Sequence, residues 1–462
     1  MRALSKLRST CQTMPLAHIE SLDHEGRGIA HIDGKVIFIE GALPGEIVDY
    51  ASYRRKPSYE KATITRVVKA SSQRVAPACP HFGVCGGCSM QHLQLVSQTA
   101  AKQRVLEDAF WHIGRLRPDR VFSPIGGVGW AYRQRARLSM RLVAKKGGML
   151  VGFHEKSSSY VAVMDSCAIL PPKVSALIPS VKTLIAAMST PDRLPQLEVA
   201  VGDRQTVLVL RHLEALTADD ERRLREFADR HEIVWYLQPK GPETAWLFYP
   251  PTAPDLTYSL PDFDLSLRFA PTEFTQVNIH VNRMLVRRAM ALLQPRVGER
   301  IADLFCGLGN FTLPIARHGA TVVGIEGSAA LVQRAAENAR RNGLENDCTF
   351  DVANLFEIDE ATALKLAACD KWLVDPPRDG ALALVKSLPS VAELEARHED
   401  ATRIARIAPK AIVYVSCNPA TLARDAAVLV HEKGYRLCGA GIVSMFAHTS
   451  HVESIALFER ID

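Results

Sequence analysis

The feature that most constrains this chain is a rhythm that begins near Pro271 and runs to Asp462: apolar strand, turn, amphipathic helix, repeated. Short Val/Ile/Leu-rich runs separated by helices cannot pair as hairpins. They require a mostly parallel sheet with helices on its faces, a doubly wound α/β layer. Such sheets bind ligands at the carboxyl ends of their strands. Ile301 to Phe311 reads as a strand ending in a glycine turn, Cys306-Gly307-Leu308-Gly309-Asn310, that opens a helix. Glycine there lets backbone approach a ligand closely. The next strand, Thr321 to Ile325, ends in Glu326, twenty-three residues after Asp303, with a carboxylate that can accept from both hydroxyls of a ribose. The Gly-x-Gly-x-x-Gly spacing of dinucleotide sites is absent, so the pocket suits a nucleoside cofactor. Asn354 follows the strand Cys348 to Val352, and Asp375 ends Trp372 to Asp375, both at the ligand-bearing edge.

A length of 462 residues exceeds what one core usually organises and implies two to three domains. Thr13 to Ser71 alternates β-prone runs with turn residues and predicts a small barrel; Val75 to Ala270 mixes helical and strand periods, an α+β region. Arg27-Gly28-Ile29-Ala30, Gly34 to Ile39 and the turn Leu43-Pro44-Gly45-Glu46 resemble a TRAM domain, an RNA-binding barrel of the OB type. Arg54, Arg55, Lys56 and Lys61 are then expected in a loop facing RNA backbone. Six basic residues lie between Arg133 and Lys146 with no acidic one, and Trp130 and Tyr132 stand just ahead. Arg133, Arg135 and Arg137 at strand period put three guanidinium groups on one side, either a phosphate-tracking surface with stacking rings or a solvated strand face. No apolar run approaches the roughly 18 residues of a membrane helix, and Met1 to Pro15 does not read as a secretory signal. A soluble, cytoplasmic, monomeric protein without membrane association is the expectation.

Ten cysteines without an export signal point to metal ligation or catalysis rather than disulfides. Cys79, Cys85 and Cys88 occupy a tight Gly- and Pro-containing loop, and Cys167 can complete four thiolates. Four thiolates suit zinc or an iron–sulfur cluster, and the spacing leaves both open. His81 lies inside the loop. Cys306, Cys348, Cys369 and Cys438 read as packing residues, and Cys11 sits in an uninformative N-terminus. Cys417 differs: the buried-strand run Ala411 to Ser416 is broken by Cys417-Asn418-Pro419 at the ligand-bearing edge.

Ser416 to Asp425 closely resembles the nucleophile motif of RNA uracil-5-methyltransferases. The resemblance extends to Phe274 to Asn278, Asp303 to Phe311, Asp375-Pro376-Pro377-Arg378 and the tail His448 to Glu453, spanning the third region. Ala447 departs from the proline often found before that tail. With the TRAM-like barrel and four cysteines in front, the arrangement is similar to the branch of the family that acts on 23S ribosomal RNA. The resemblance implies a Rossmann-like class I fold over 271–462, a TRAM barrel over 13–71 and a central domain over 75–270. It also implies S-adenosylmethionine held by Gln276, Phe305, Asn310, Glu326, Asn354 and Asp375, with Cys417 as nucleophile and Glu453 as acid/base. A [4Fe-4S] cluster on Cys79, Cys85, Cys88 and Cys167 is favoured over zinc by the same resemblance. Chemistry agrees: carbon 5 of uracil is a poor nucleophile until a thiolate adds to carbon 6, and its proton must then be removed by a base. Arg378 stands where amino-methyltransferases place an aromatic after Asp/Asn-Pro-Pro, which disfavours an exocyclic-amine substrate. The competing readings are a transfer RNA substrate, a TRAM-containing radical S-adenosylmethionine enzyme, and an RNA-binding redox sensor. The radical enzymes carry a three-residue gap in their cysteine triad, whereas five residues separate Cys79 from Cys85.

Overall fold

The computed structural model describes residues 15–389 and 408–461. The first two residues of the expected barrel, the basic N-terminal residues and Cys11 lie outside them. Six strands form the N-terminal sheet: β1 (Leu16–His18), β2 (Ser21–Leu22), β3 (Gly28–Ile32), β4 (Lys35–Glu40), β5 (Ile47–Arg55) and β6 (Tyr59–Lys69). Their order is β1-β5-β6-β4-β3-β2, and among the described residues no strand pairing joins β1 to β2, so the expected barrel is an open sheet. Ile19, Ile39 and Val48 form its core. Gly28 is required there, because a Cβ would meet Ile19 at 2.8 Å and Ala42 at 2.9 Å. The Leu43-Pro44-Gly45-Glu46 turn is anchored by buried Glu46, which accepts from Leu43 N at 2.9 Å and from Arg74 Nε at 2.6 Å. Arg54, Arg55 and Lys61 do not occupy a loop: the two long strands run on past the core as a hairpin arm, which carries these residues and Lys56 at its tip.

After the cysteine-rich loop, α1 (Leu95–Ala109) packs against the C-terminal sheet: Leu106 and Phe110 join the core of Tyr414, Leu422 and Ala456. The central sheet follows, with β7 (Arg135–Val143), β8 (Gly148–Gly152), β9 (Gln196–Val201), β10 (Thr206–Arg211), β11 (Val234–Gln238) and β12 (Trp246–Tyr249) in the order β12-β11-β10-β9-β7-β8. Helices α2 (Pro172–Ala186) and α3 (Ala218–His231) cover it, their residues Ile178, Val181 and Phe227 in one core with Leu197 and Leu208. The hairpin β13 (Thr257–Leu260) and β14 (Leu265–Arg268) buries Leu260 and Leu267 in the same core as helix α4 (Ile279–Leu293).

Among the described residues the C-terminal layer has seven strands: β15 (Arg300–Leu304), β16 (Thr321–Glu326), β17 (Cys348–Val352), β18 (Lys371–Val374), β19 (Ala411–Ser416), β20 (Tyr435–Val443) and β21 (Glu453–Arg460). The order is β17-β16-β15-β18-β19-β21-β20, with β21 antiparallel to both neighbours. Helices α5 (Thr312–Arg317), α6 (Ala329–Arg341), α7 (Glu360–Ala367), α8 (Leu382–Ser387) and α9 (Pro419–His431) accompany it. Strand order reverses at β15, which opens the crevice where doubly wound sheets bind ligands. The β20 edge is not bare. Phe122 N donates to Ala440 O at 2.8 Å and Ile125 N to Ile442 O at 3.0 Å, so a segment preceding the central sheet covers it.

Candidate active site

The crevice is shaped by the turn after β15. Phe305 takes a left-handed φ of 63°, and its N–H and that of Cys306 both donate to Ile325 O at 2.9 and 3.1 Å. Gly307 and Gly309 follow at φ 55° and 98°. The turn faces Glu326, whose carboxylate accepts from Gly307 N at 3.2 Å and Ser328 N at 3.1 Å. Asp303 is wholly buried. Thr312 donates to its Oδ2 at 2.5 Å, while Oδ1 has no partner. Burial, opposed by the Thr312 hydrogen bond and reinforced by the charges of Asp375 and Glu326, pushes Asp303 up to about 7. Burial alone pushes Asp375 up to about 7. A buried group of carboxyls with an unpaired oxygen fits a ligand that carries positive charge and a nucleoside, because a cation restores the ionised forms.

The expected cofactor residues assemble in two groups. Asp375 N donates to Leu304 O at 3.1 Å, which fixes Asp375 beside the turn. Asn310 accepts from Tyr258 OH at 2.9 Å and Asn282 Nδ2 at 2.8 Å, and both of those residues line one cavity with Gln276. Asn354 lies further out, in a groove with Asp351 and Lys365; its Oδ1 accepts from Phe356 N at 3.1 Å, and the Phe356 ring meets Phe305 at 5.6 Å. Sequence reasoning missed Asn282, Tyr258 and Thr312. Asn282 alone had a signal, one helical turn beyond Asn278.

Strand register brings the two expected catalytic residues together. Ser416 of β19 pairs with Ser454 of β21, so Cys417 and Glu453 leave the sheet side by side. Cys417 is half-buried. Burial, then the charges of Glu453 and Asp375, push its thiol up to about 11, with Arg378 acting oppositely. Glu453 is buried, and burial followed by Asp375 pushes it up to about 8 against Lys102 and Arg378. Asn418 caps α9 by accepting from Ala420 N at 3.1 Å, with Pro419 at the first helical position. Its Nδ2 and Thr421 Oγ1 both donate to Arg378 O, at 3.1 and 3.2 Å. Asp425, with no exposed surface, accepts from Tyr414 OH and Ala381 N at 2.7 Å each and from Arg424 Nε at 2.9 Å. Strand β19, α9 and the Asp375–Ala381 loop are thereby one clamped unit.

The tail before Glu453 is held by residues some 350 positions earlier in the chain. His448 O accepts from Ser89 N and Met90 N at 2.9 Å each, His448 N donates to Gln98 Oε1 at 2.8 Å, and Lys102 Nζ donates to Phe446 O at 2.8 Å. Tyr132 is not an RNA-stacking ring: it is fully buried and donates to Ala447 O at 2.9 Å. Trp130 is exposed and stacks on His448 at 3.9 Å. The basic strand is partly consumed internally, since Arg135 donates to Pro271 O at 2.6 Å and Arg137 pairs with Glu198 at 3.0 Å.

Cys79, Cys85, Cys88 and Cys167 line a single cavity with His81, Phe82 and Phe153. Burial, reinforced by the neighbouring sulfurs, pushes Cys88 up to about 12 and Cys167 up to about 11. Four sulfurs this close cannot all ionise without a compensating cation. Among the described residues, however, no three or more His, Cys, Asp or Glu side chains are disposed as a metal site.

Sheet order, glycine turn and facing acid define the class I fold of S-adenosylmethionine-dependent methyltransferases. Residues 255–461 match the family described as tRNA (uracil-5-)-methyltransferase, and residues 15–49 match the TRAM domain. The 23S rRNA (uracil(1939)-C(5))-methyltransferase RlmD of Aromatoleum aromaticum is 60% identical over 97% of this chain and 100% of its own length. That of Dechloromonas aromatica is 59% identical over 96% and 100%. The solved Pyrococcus abyssi tRNA (uracil-54, C5)-methyltransferase, in complex with S-adenosyl-L-homocysteine, shares the fold at a TM-score of 0.72 and 23% identity, over 97% of this chain and 100% of that one. The chain belongs to the RNA uracil-5-methyltransferase family.

Proposed function

We propose that this protein methylates carbon 5 of a uracil in 23S rRNA, using S-adenosylmethionine, through covalent addition of Cys417 to carbon 6. The observation that carries the mechanism is the Ser416–Ser454 register, which sets the Cys417 thiol beside the Glu453 carboxyl with Asp375 acting on both. S-adenosylmethionine supplies an electrophilic methyl group; Asp303, Phe305, Asn310, Glu326 and Asp375 would hold it, with Gln276 and Asn354 at the pocket's two ends. The Cys417 thiolate adds to carbon 6, and the electron pair of the 5,6 double bond becomes an enolate. Carbon 5 takes the methyl group as its electron pair forms the new C–C bond, and the pair of the broken S–CH3 bond would stay on sulfur, leaving the cofactor as a neutral thioether. Glu453 then removes the proton from carbon 5, the C–H pair re-forms the double bond, and the thiolate leaves. Arg378, one of two cations acting on Glu453, also lowers the cost of the thiolate.

The RNA duties fall to the TRAM domain and its hairpin arm, where Arg54, Arg55 and Lys56 are exposed and separate from the carboxylates of the crevice. The target base must be out of its stack, since the addition needs a face of the ring. The four thiols that line one cavity would be the ligands of a [4Fe-4S] cluster, with the rings of Phe82 and Phe153 shielding it. The test is twofold. Cys417→Ala should abolish methyl transfer to 23S rRNA fragments, in air and without reductant, while S-adenosylmethionine affinity stays within about twofold. Cells lacking the protein should lose one 5-methyluridine from 23S rRNA; loss from transfer RNA instead would overturn the substrate.

A further inference from the structure

Gln98 has no exposed surface, yet its amide is hydrogen-bonded in two directions. Oε1 accepts from His448 N at 2.8 Å, while Nε2 donates to Met90 O at 3.0 Å and to Leu93 O at 2.8 Å and lies 3.1 Å from His448 Nδ1. One side chain of α1 thus joins the segment that follows the cysteine-rich loop to the tail that leads into Glu453. The chemistry of the partners asks for an amide. A carboxylate would repel the carbonyls of Met90 and Leu93, and an ammonium could not accept from His448 N. Packing does not ask for it, since a leucine fills similar volume without the cost of burying polar atoms.

His448 is the residue that needs holding. Its φ of 63° lies in the left-handed region, which a residue other than glycine keeps where its surroundings over-determine it. Ser89 N and Met90 N both donate to its carbonyl at 2.9 Å, and Ser450 N donates to Ser89 Oγ at 3.1 Å. The turn lies in the connection between β20 and β21, and Glu453 is the first residue of β21, paired with Val443. The sheet pairing ends with that pair, so the path of the backbone into Glu453 is set from its other side by these contacts. We infer that Gln98 is a positioning residue for Glu453: by locking the left-handed turn at His448 onto residues 89–93, it fixes where the chain enters β21 and so aims the base at the carbon 5 proton. It takes no part in holding the cofactor or in the attack by Cys417. This rests on the assignment of Glu453 as the base.

The test uses the full-length enzyme carrying Gln98→Leu, with fragments of 23S rRNA. With tritium at carbon 5 of the target uracil, tritium release should slow on the order of a hundredfold, the cost of a misplacement of about 1 Å, and a methylated protein–RNA adduct should accumulate on denaturing gels. On RNA carrying 5-fluorouridine, where fluorine replaces the proton that Glu453 removes, the Cys417 adduct should form at the parent rate, and S-adenosylmethionine affinity should stay within about twofold. Tritium release at the parent rate overturns the inference. So does an adduct on the fluorinated RNA slowed as much as turnover, which would make Gln98 a general support of the fold. Should Gln98→Leu not fold, His448→Asn and His448→Val decide: asparagine adopts the left-handed conformation and valine resists it, so the Val variant should release tritium about tenfold more slowly than the Asn variant, and equal rates overturn the inference. Full turnover by Glu453→Gln would instead remove Glu453 from its role, a result distinct from any of these.

Discussion

Replacing Asp425 with alanine removes one carboxylate and leaves three donors from three different elements without an acceptor: Tyr414 OH on β19, Ala381 N in the loop after Arg378, and Arg424 Nε on α9. With Asp425 fully buried, water cannot replace it without opening the structure. Hydrogen bonds to a buried charged group contribute about 1.5–3 kcal/mol each, but the carboxylate's own desolvation offsets part of that, so the net loss is about 3–5 kcal/mol. For a catalytic layer of this size, that corresponds to a melting temperature lower by roughly 10 °C. Activity should fall further than stability, because the clamp sets the Asp375 loop against Cys417, and a misplacement of about 1 Å costs on the order of a hundredfold in rate. Differential scanning calorimetry and kcat at 20 °C, well below the transition, measure the two effects separately. Asp425→Asn, which keeps an acceptor, should lose less of both. A melt within about 2 °C of the parent, with kcat within about twofold, would refute the clamp.

Cofactor affinity should depend on pH through Asp303 and Asp375. Both are raised to about 7, so they gain charge as pH rises through 7, and a cationic ligand should bind about tenfold tighter at pH 8 than at pH 6. Calorimetric titration with S-adenosylmethionine measures this, and flat affinity across that range contradicts the carboxyl site. Turnover should rise through about pH 8 as Glu453 ionises, and an acid-favoured profile contradicts its role as base. Cys88→Ser should remove iron and visible absorbance from purified protein; zinc in place of iron in the parent overturns the cluster. Neutralising Arg54, Arg55 and Lys56 together should weaken RNA binding and flatten its salt dependence by up to about three phosphates without changing kcat at saturating RNA.

Features that a backbone enforces locally were legible in the sequence. The turn Cys306 to Asn310, the cap Cys417-Asn418-Pro419 and the Leu43 to Glu46 turn each need particular residue types at particular φ, and each stands where its residues imply. Strand ends located Glu326, Asp375 and Cys417 because the rule of the carboxyl edge depends only on order. What escaped was decided by tertiary partners. Arg135 and Arg137 have strand period, but that period says nothing of Pro271 O or Glu198 waiting for them. Tyr132 reads as a stacking ring because nothing local in the sequence shows that its hydroxyl donates to Ala447 O. The arm residues resembled a loop because their solvated strands lack the apolar alternation of a half-buried sheet. Lys102 carried no local signal, since its partner Phe446 O lies 344 positions later.

That separation has a consequence for how the molecule comes to life. The contacts that seat Glu453 join Ser89, Met90, Gln98 and Lys102 to residues 446–448, among the longest loops the chain closes. Loop closure of this length is paid late in folding, after the sheets have their own cores. A half-folded copy would thus own the crevice and Cys417 before Glu453 is in place, and under the mechanism proposed above it would stall at the adduct.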